Sequence, residues 1–259
     1  MVIRYRDPIR SDLSPFRLLC EQTFPIRYGE KFYDSLLDKS LATSKEAVPG
    51  SGIVTIVATS SRSEASERFK VQKVYNYDDN DDIPPPVYTG KLDLCDFETE
   101  SDEVVVGGLS CRLFVGSLCE DKNVSKCQDE KGATLLYIMT LVTLPMFQRC
   151  GIASELVSRC VAYGKSNPGC VAVYLHVITY NHAAVRFYES RGFKYVSRIK
   201  DFYKIKGKKY DCFLYKYEIR KQPLNIAVAN AARASAMRRR RRGSSGSEDE
   251  NNSSRCVIN

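Results

Sequence analysis

The chain has 259 residues, 43% of them hydrophobic, and a formal net charge of +8 at pH 7, the make-up of a globular protein of one large or two small domains. The charge excess is local: residues 221–259 hold eight Lys/Arg against three Asp/Glu, which argues against a fold that itself reads nucleic acid. Ten cysteines are scattered without a C-x-x-C pair, and only two histidines could join them on a metal. Reduced, buried thiols are therefore expected rather than a disulfide scaffold or a metal cluster.

The N-terminal "MVIRYRDPIRSD" is charged where a secretory leader needs an apolar stretch, so none is expected. "VIRYR" (2–6) reads as a first strand, and "SDLSPFRLLCEQTF" spaces Leu13, Phe16, Leu19 and Cys20 as a helix that ends at Pro25. "GEKFYDSLLDKSL" reads as a second helix and the β-branched "GIVTIVATS" (52–60) as a strand. Residues 61–100 carry ten acidic and five basic residues, with "DDNDD" and "PPP", and show no period. A solvated, disordered acidic insertion over about 61–102 is expected.

Strand character returns at "EVVVGGLSCRLFVG" (103–116); a polar link follows, then the apolar "ATLLYIMTLVTL" (133–144). The apolar run 135–147 is too short to span a bilayer and contains a proline. "GIASELVSRCVAYG" reads as an amphipathic helix with Ile152, Leu156, Cys160 and Val161 on one face. "CVAVYLHVI" reads as a buried strand, "NHAAVRFYESRG" as a helix ending at Gly192, and "YDCFLYKYEI" (210–219) as a closing strand. The order implies an α/β (α+β mixed-sheet) domain over residues 1–220, with a parallel segment near 137–177. Residues 221–259 read as a low-complexity, disordered basic tail.

"QRCGIAS" (148–154) sits between a strand and a helix, where backbone N–H groups and the helix dipole converge and Gly151 permits close approach. Alone, such a glycine is as well read as a turn. Some thirty residues on stands "NHAAVRFYESRGF". The pair of motifs, Q-x-x-G-x-A and then an Asn-initiated helix with F-Y-x-x-x-G-F, resembles the acetyl-CoA site of the GCN5-related N-acetyltransferase (GNAT) superfamily. The resemblance implies the GNAT fold, with a central mixed sheet flanked by helices, acetyl-CoA as co-substrate and no metal. It places cofactor contacts on Leu141, Val142, Thr143, Gln148, Arg149, Cys150, Gly151, Ile152, Ala153, Ser154, Asn181 and Tyr188. It further implies a strand bulge near 137–142 that splays two parallel strands and leaves a backbone N–H near Val142 for the developing oxyanion.

A finer resemblance rests on "FPIRYGEKFY" (24–33), "LYIMTL" (136–141), "YLHV" (174–177) and "KDFYK" (200–204). These are similar to signature segments of the NatE-type (San-type) N-terminal acetyltransferase catalytic subunits, over roughly residues 2–60 and 103–219. It implies transfer of acetyl to protein α-amino groups, commonly of an initiator Met before an apolar residue. Phe202 stands where that family has the first tyrosine of a pair, and Tyr203 keeps the second.

Acetyl transfer from a thioester needs a neutral amine. An α-amino group, with a pKa of about 7.7–8.0, needs modest help, and a lysine near 10.4 much more. His176 lies mid-strand with Tyr174 and Ile178 on its face. The residues alone allow a core histidine or a base. The resemblance makes it the base with Tyr137 as partner, acting on the amine through water, and Tyr188 the group near the CoA sulfur. His182, at a helix start, reads as surface or cofactor rim. Phe24, Pro25, Ile26, Tyr28 and Met139 are read as an apolar slot for an initiator Met, with Phe202 and Tyr203 gripping the peptide; Arg27 would tune the following positions. Without the resemblance, "FPIRY" reads as a hydrophobic helix-loop staple rather than a slot.

The tail holds "RRRRR" (238–242) and ends in "CVIN". It reads as a solvated run, a nuclear-import or nucleic-acid patch, or a contact for anionic membrane. "CVIN" fits C-a-a-X at Cys256, although Asn is outside the usual final residues, and Ser247 precedes an acidic "EDE". The expected partners are protein or peptide N-termini and a NatA-type auxiliary complex at the ribosome, with no specific nucleic acid, in the cytoplasm and nucleus. Rival readings are a lysine or histone acetyltransferase, a NatF-like membrane-associated enzyme, and a non-catalytic binding subunit.

Overall fold

A computed structural model describes residues 1–37, 53–70, 93–116, 119, 121, 124 and 133–219. The basic tail, including Ser247 and Cys256, and residues 71–92 of the acidic insertion lie outside the described residues. Seven strands form one mixed sheet: β1 (Arg4–Arg6), β2 (Ile53–Ser61), β3 (Glu103–Val115), β4 (Thr134–Thr143), β5 (Cys170–Ile178), β6 (Lys194–Ile205) and β7 (Lys208–Glu218). Their order is β1-β2-β3-β4-β5-β7-β6. All pairings are antiparallel except β4 with β5. The helices are α1 (Leu13–Thr23), α2 (Glu30–Ser35), α3 (Arg62–Lys70), α4 (Ile152–Ser166) and α5 (His182–Ser190).

Helical spacing decides what α1 and α4 bury. Phe16, Leu19 and Cys20 of α1, and Ile152, Leu156, Val157, Cys160 and Val161 of α4, turn into the core. Two successive glycines in β3 receive them from opposite sides. A Cβ on Gly108 would lie 2.5 Å from Phe16 Cε2, while one on Gly107 would lie 2.9 Å from the Val142 carbonyl and 3.2 Å from Ile152 Cγ2. Adjacent strand residues face opposite sheet surfaces, so this pair lets one helix close down on each face.

Two irregularities shape the middle of the sheet. Between β3 and β4 the register steps from Ser110↔Thr140 to Cys111↔Ile138, leaving Met139 as an extra residue in β4. The parallel pairing of β4 with β5 runs only from Thr134↔Cys170 to Tyr137↔Tyr174. Beyond it the two strands continue without pairing to each other, and a gap opens between them. The bulge and splay implied for residues 137–142 are therefore present.

Three segments differ from the sequence reading. Residues 62–70, assigned to a disordered insertion, continue β2 as α3, and residues 94–97 form a 3-10 turn that buries Phe97 completely. A polar helix with one buried face position, Ala65, leaves too little apolar period to detect. The sequence shows no strand pattern over β6, an edge strand with half of its residues exposed and three lysines among its twelve positions. The eight described cysteines are free, and six of them are buried. Among the described residues no helix is long and apolar enough to cross a membrane.

The opposite sheet edge is tied down by charge. Arg6 bridges Asp12 (2.6 Å) and Glu103 (3.0 Å), and Arg4 reaches Glu103 at 2.9 Å. Asp12 is fully buried and also accepts the Ile9 N–H at 2.7 Å.

Candidate active site

The gap between β4 and β5 gathers the residues that carry proton chemistry. Tyr137 and Tyr174, the last parallel partners, stack at 4.9 Å between ring centres. Two residues further along β5, His176 places Nδ1 3.2 Å from the Tyr137 hydroxyl, with its side chain only 4% exposed. Its Nε2 lies 3.1 Å from Oδ2 of Asp121. Phe202 of β6 stacks on the imidazole at 4.3 Å, and the Tyr203 hydroxyl donates to the His176 carbonyl at 3.5 Å. A half-buried hydrogen-bonded Tyr–His pair beside an opening can pass a proton from a bound group into the protein.

Phe202 arrives there through a distortion of β6. Pairing with β7 jumps from Ile199↔Cys212 to Tyr203↔Tyr210, so residues 200–202 bulge opposite Asp211. The Asp211 carboxylate accepts the Asp201 N–H at 3.0 Å and pairs with Arg198 at 2.6 Å. That backbone bond and the Arg198 guanidinium hold the Asp211 carboxyl below its ordinary value. Asp201 sits at φ 55, a left-handed conformation that the clamp maintains.

The loop after α1 forms the facing wall. Tyr28 stacks on Phe32 at 4.4 Å, meets Phe24 edge-on at 6.2 Å, and donates its hydroxyl to the Met139 carbonyl at 3.2 Å. The aromatic loop is thus fastened to the bulged residue of β4, and Phe24, Tyr28 and Met139 come together as expected. Pro25 and Ile26 are half-buried on the same loop. Arg27 is exposed and bonds back to the Glu21 carbonyl, away from the role expected for it. Burial pushes the Tyr203 phenol well above its ordinary value, and the phenols of Tyr137, Tyr28 and Tyr188, with Cys212, add to the shift.

Tyr188, on α5, is buried against Phe187 and Phe193. Burial, with a smaller contribution from Cys160, raises its pKa, so the phenol stays protonated. Its hydroxyl makes no hydrogen bond among the described residues, which leaves it able to donate to an incoming group. His182 is exposed at the start of α5, in keeping with its surface reading. Asn181 caps that helix, its Oδ1 accepting the Ala184 N–H at 3.0 Å.

The loop before α4 has the form of an anion cradle. Gly151, the N-cap, sits at φ 82, and Arg149 at φ 62 is also left-handed. Among the described residues no side chain caps the helix, so the first-turn N–H groups at Ile152, Ala153 and Ser154 are left without an acceptor from them. A Cβ on Gly151 would meet nothing within 4 Å. Gln148 and Arg149 are exposed, and Cys150 is half-buried. Of the β4 residues leading to the loop, Val142 is buried in pairing with Gly108, Leu141 is half-buried, and Thr143 carries a buried Oγ1 with no hydrogen-bond partner among the described residues.

A splayed parallel strand pair, a helix start suited to a phosphate and a Tyr–His contact are together what an enzyme needs to hold a phosphate-bearing co-substrate beside a proton-relaying pair. Residues 61–193 match the model of the acetyltransferase (GNAT) family, and the chain belongs to that family. It is 32% identical over 137 residues to "Histone acetyltransferase MCC1" of Arabidopsis thaliana, covering 51% of this chain and 55% of that protein. It is 25% identical over 215 residues to "N-alpha-acetyltransferase 60" of Danio rerio, covering 82% of this chain and 68% of that protein. With "N-alpha-acetyltransferase 50" of Danio rerio it shares 29% over 103 residues, covering 40% of this chain and 53% of that protein. The crystal structure of Arabidopsis thaliana NAA60 in complex with a bisubstrate analogue is 25% identical at a TM-score of 0.60, covering 85% of this chain and all of that one. The same Arabidopsis protein is solved in complex with acetyl-CoA.

Acetyl-CoA is the co-substrate, and the residues fit it. The uncapped N-terminus of α4 and the open space over Gly151 suit its pyrophosphate. Asp121 and Cys119 stand in the polar link before β4, where nothing in the sequence marks either as part of a site. An isolated Asp in such a link carries no periodic signal.

Proposed function

We propose that the chain transfers acetyl from acetyl-CoA to the α-amino group of protein N-termini, with Met followed by an apolar residue as the preferred start. The observation that carries this reading is the Tyr137–His176 contact at 3.2 Å, at the mouth of the splay and opposite the Phe24–Tyr28–Met139 wall. In it Tyr137 and His176 take the ammonium proton, Tyr188 donates to the leaving thiolate, and the N–H near Val142 stabilises the oxyanion. Phe24, Pro25, Ile26, Tyr28 and Met139 receive the first side chain, and Phe202 and Tyr203 hold the peptide. The long alignment with N-alpha-acetyltransferase 60 supports an enzyme of that kind over the NatE type. The catalytic domain is taken as residues 1–220, followed by the tail. Action in the cytoplasm and nucleus, alongside a ribosome-bound auxiliary complex, completes the proposal.

A second reading, acetylation of lysine, is favoured by the 32% identity with a protein named a histone acetyltransferase. Two peptides separate the readings: one with a free Met-Leu N-terminus and no lysine, the other with a blocked N-terminus and one internal lysine. Acetylation of the first alone, lost in His176→Ala, supports the N-terminal enzyme. Preference for the second hands the site to lysine, and silence on both with acetyl-CoA bound favours a binding subunit.

A further inference from the structure

The geometry points to Asp121 as a positioning residue that holds the imidazole proton of His176 on Nε2, leaving Nδ1 as the basic nitrogen toward Tyr137. The inference rests on the reading of Tyr137 and His176 as the proton-relaying pair.

Asp121 is fixed in place by its neighbours. Cys119 and the fully buried Val124 pack with Leu135, Ala172, Tyr174 and Leu214 on the sheet face that carries His176. The Val124 N–H donates to the Asp121 carbonyl at 2.9 Å, and the Cys119 thiol reaches the same carbonyl at 3.8 Å and the Tyr174 hydroxyl at 3.7 Å. The carboxylate, 20% exposed, sets Oδ2 3.1 Å from His176 Nε2, off the line of a well-formed hydrogen bond. Nε2 is buried and has no hydrogen-bond partner among the described residues, and the carboxylate at 3.1 Å is the acceptor within reach of an atom that is costly to leave unpaired.

The choice of tautomer follows from what each group can accept. A carboxylate only accepts, and a neutral imidazole carries one N–H, so the proton facing Asp121 belongs on Nε2. Nδ1 then has its lone pair toward Tyr137 and accepts the phenolic proton. When a bound α-ammonium gives a proton to the Tyr137 oxygen, the Tyr137 proton passes to Nδ1. The amine is left neutral and the imidazolium sits beside Asp121. The other titratable groups facing this pair are Tyr174 of β5, Tyr203 of β6, Cys212 of β7 and Cys119. Burial raises the pKa values of Tyr174, Tyr203 and Cys212, so they keep their protons through the transfer. With the opposite tautomer, Nδ1–H would point at Tyr137 and the relay would have no acceptor.

The test uses the full chain with ¹⁵N-labelled imidazoles, whose long-range ¹H–¹⁵N correlations report the tautomer of each ring. There are only two histidines, and the exposed His182 serves as internal reference. Wild type is expected to show His176 as the Nε2–H tautomer. Asp121→Asn should shift His176 to a mixture, leave His182 unchanged, and lower kcat on the Met-Leu peptide about tenfold or more with KM moved less than about twofold. Asp121→Glu should restore most of both. An unchanged His176 tautomer in Asp121→Asn, or a KM that rises as far as kcat falls, overturns the assignment. A wild-type protein silent on the peptide overturns the proposed activity instead, while the spectra still decide the role of Asp121.

Discussion

Phe202 lies flat against His176, with ring centres 4.3 Å apart and planes 26° from parallel, because Asp211 clamps the β6 bulge that carries it. The stack fixes one face of the imidazole without competing for either ring nitrogen. Phe202→Ala should remove a contact worth about 1 kcal/mol, lowering kcat/KM roughly fivefold, and Phe202→Tyr should keep it. Asp211→Ala should reproduce most of the Phe202→Ala loss from a distance by releasing the Asp201 N–H. A kinetic comparison of the three variants decides, and an Asp211→Ala enzyme with normal kcat/KM would show that the bulge holds itself.

Tyr137 has a packing role and a chemical one, and a single atom separates them. Tyr137→Phe retains the stack on Tyr174 and loses the bond to Nδ1. Its melting temperature should stay near wild type while kcat drops about a hundredfold, the low end of what acid–base groups supply. A matching fall in stability would assign the residue to the core.

At Gly151 the helix begins from a left-handed residue, φ 82. Gly151→Ala places a Cβ in open space yet strains the backbone by about 1–2 kcal/mol. The expected result is a lower melting temperature with a raised KM for acetyl-CoA and an unchanged KM for peptide. Equal rises in both KM values would count against the phosphate-cradle role.

Gly108 answers to packing instead. Phe16 is 1% exposed and cannot swing away from a new Cβ 2.5 Å from its ring. Gly108→Ala should destabilise the fold by about 1–3 kcal/mol in denaturant unfolding. Gly29→Ala, where a Cβ meets nothing within 4 Å, is the control and should be close to neutral.

The sheet edge gives the protein an acid limb. Burial alone would raise the Glu103 pKa, but hydrogen bonds from Arg6 and Arg4 outweigh it and the net shift is below the ordinary 4.5. A carboxyl with a depressed folded pKa contributes stability that is complete above its unfolded value and is lost as pH falls through the folded one. Stability should therefore be flat near neutrality and fall below about pH 4.5, with Glu64 and Asp211, also depressed, adding to the slope. Glu103→Gln should flatten part of that limb in pH-dependent unfolding, and an unaltered profile would contradict the assignment.

What the sequence determined by itself lies in local patterns. The apolar period of α1 and α4, the β-branched runs of β2 and β5, the glycine before α4 and the Asn-capped α5 were all legible, because helices and buried strands write their burial at fixed spacing. Tyr137 and His176 stand out only through the resemblance of their segments to a known family, since the residues alone allow a core histidine or a base. The edge strand β6 and the polar helix α3 were not legible, since neither buries enough apolar surface to leave a period. Tertiary structure alone decided that the extra residue in β4 is Met139, that Tyr137↔Tyr174 is where the parallel strands part, and that Phe202 and Asp121 close on His176 from two distant segments. Those relationships depend on register, on bulges and on which loop crosses which strand, and contacts between residues tens of positions apart leave no trace in the spacing of either partner.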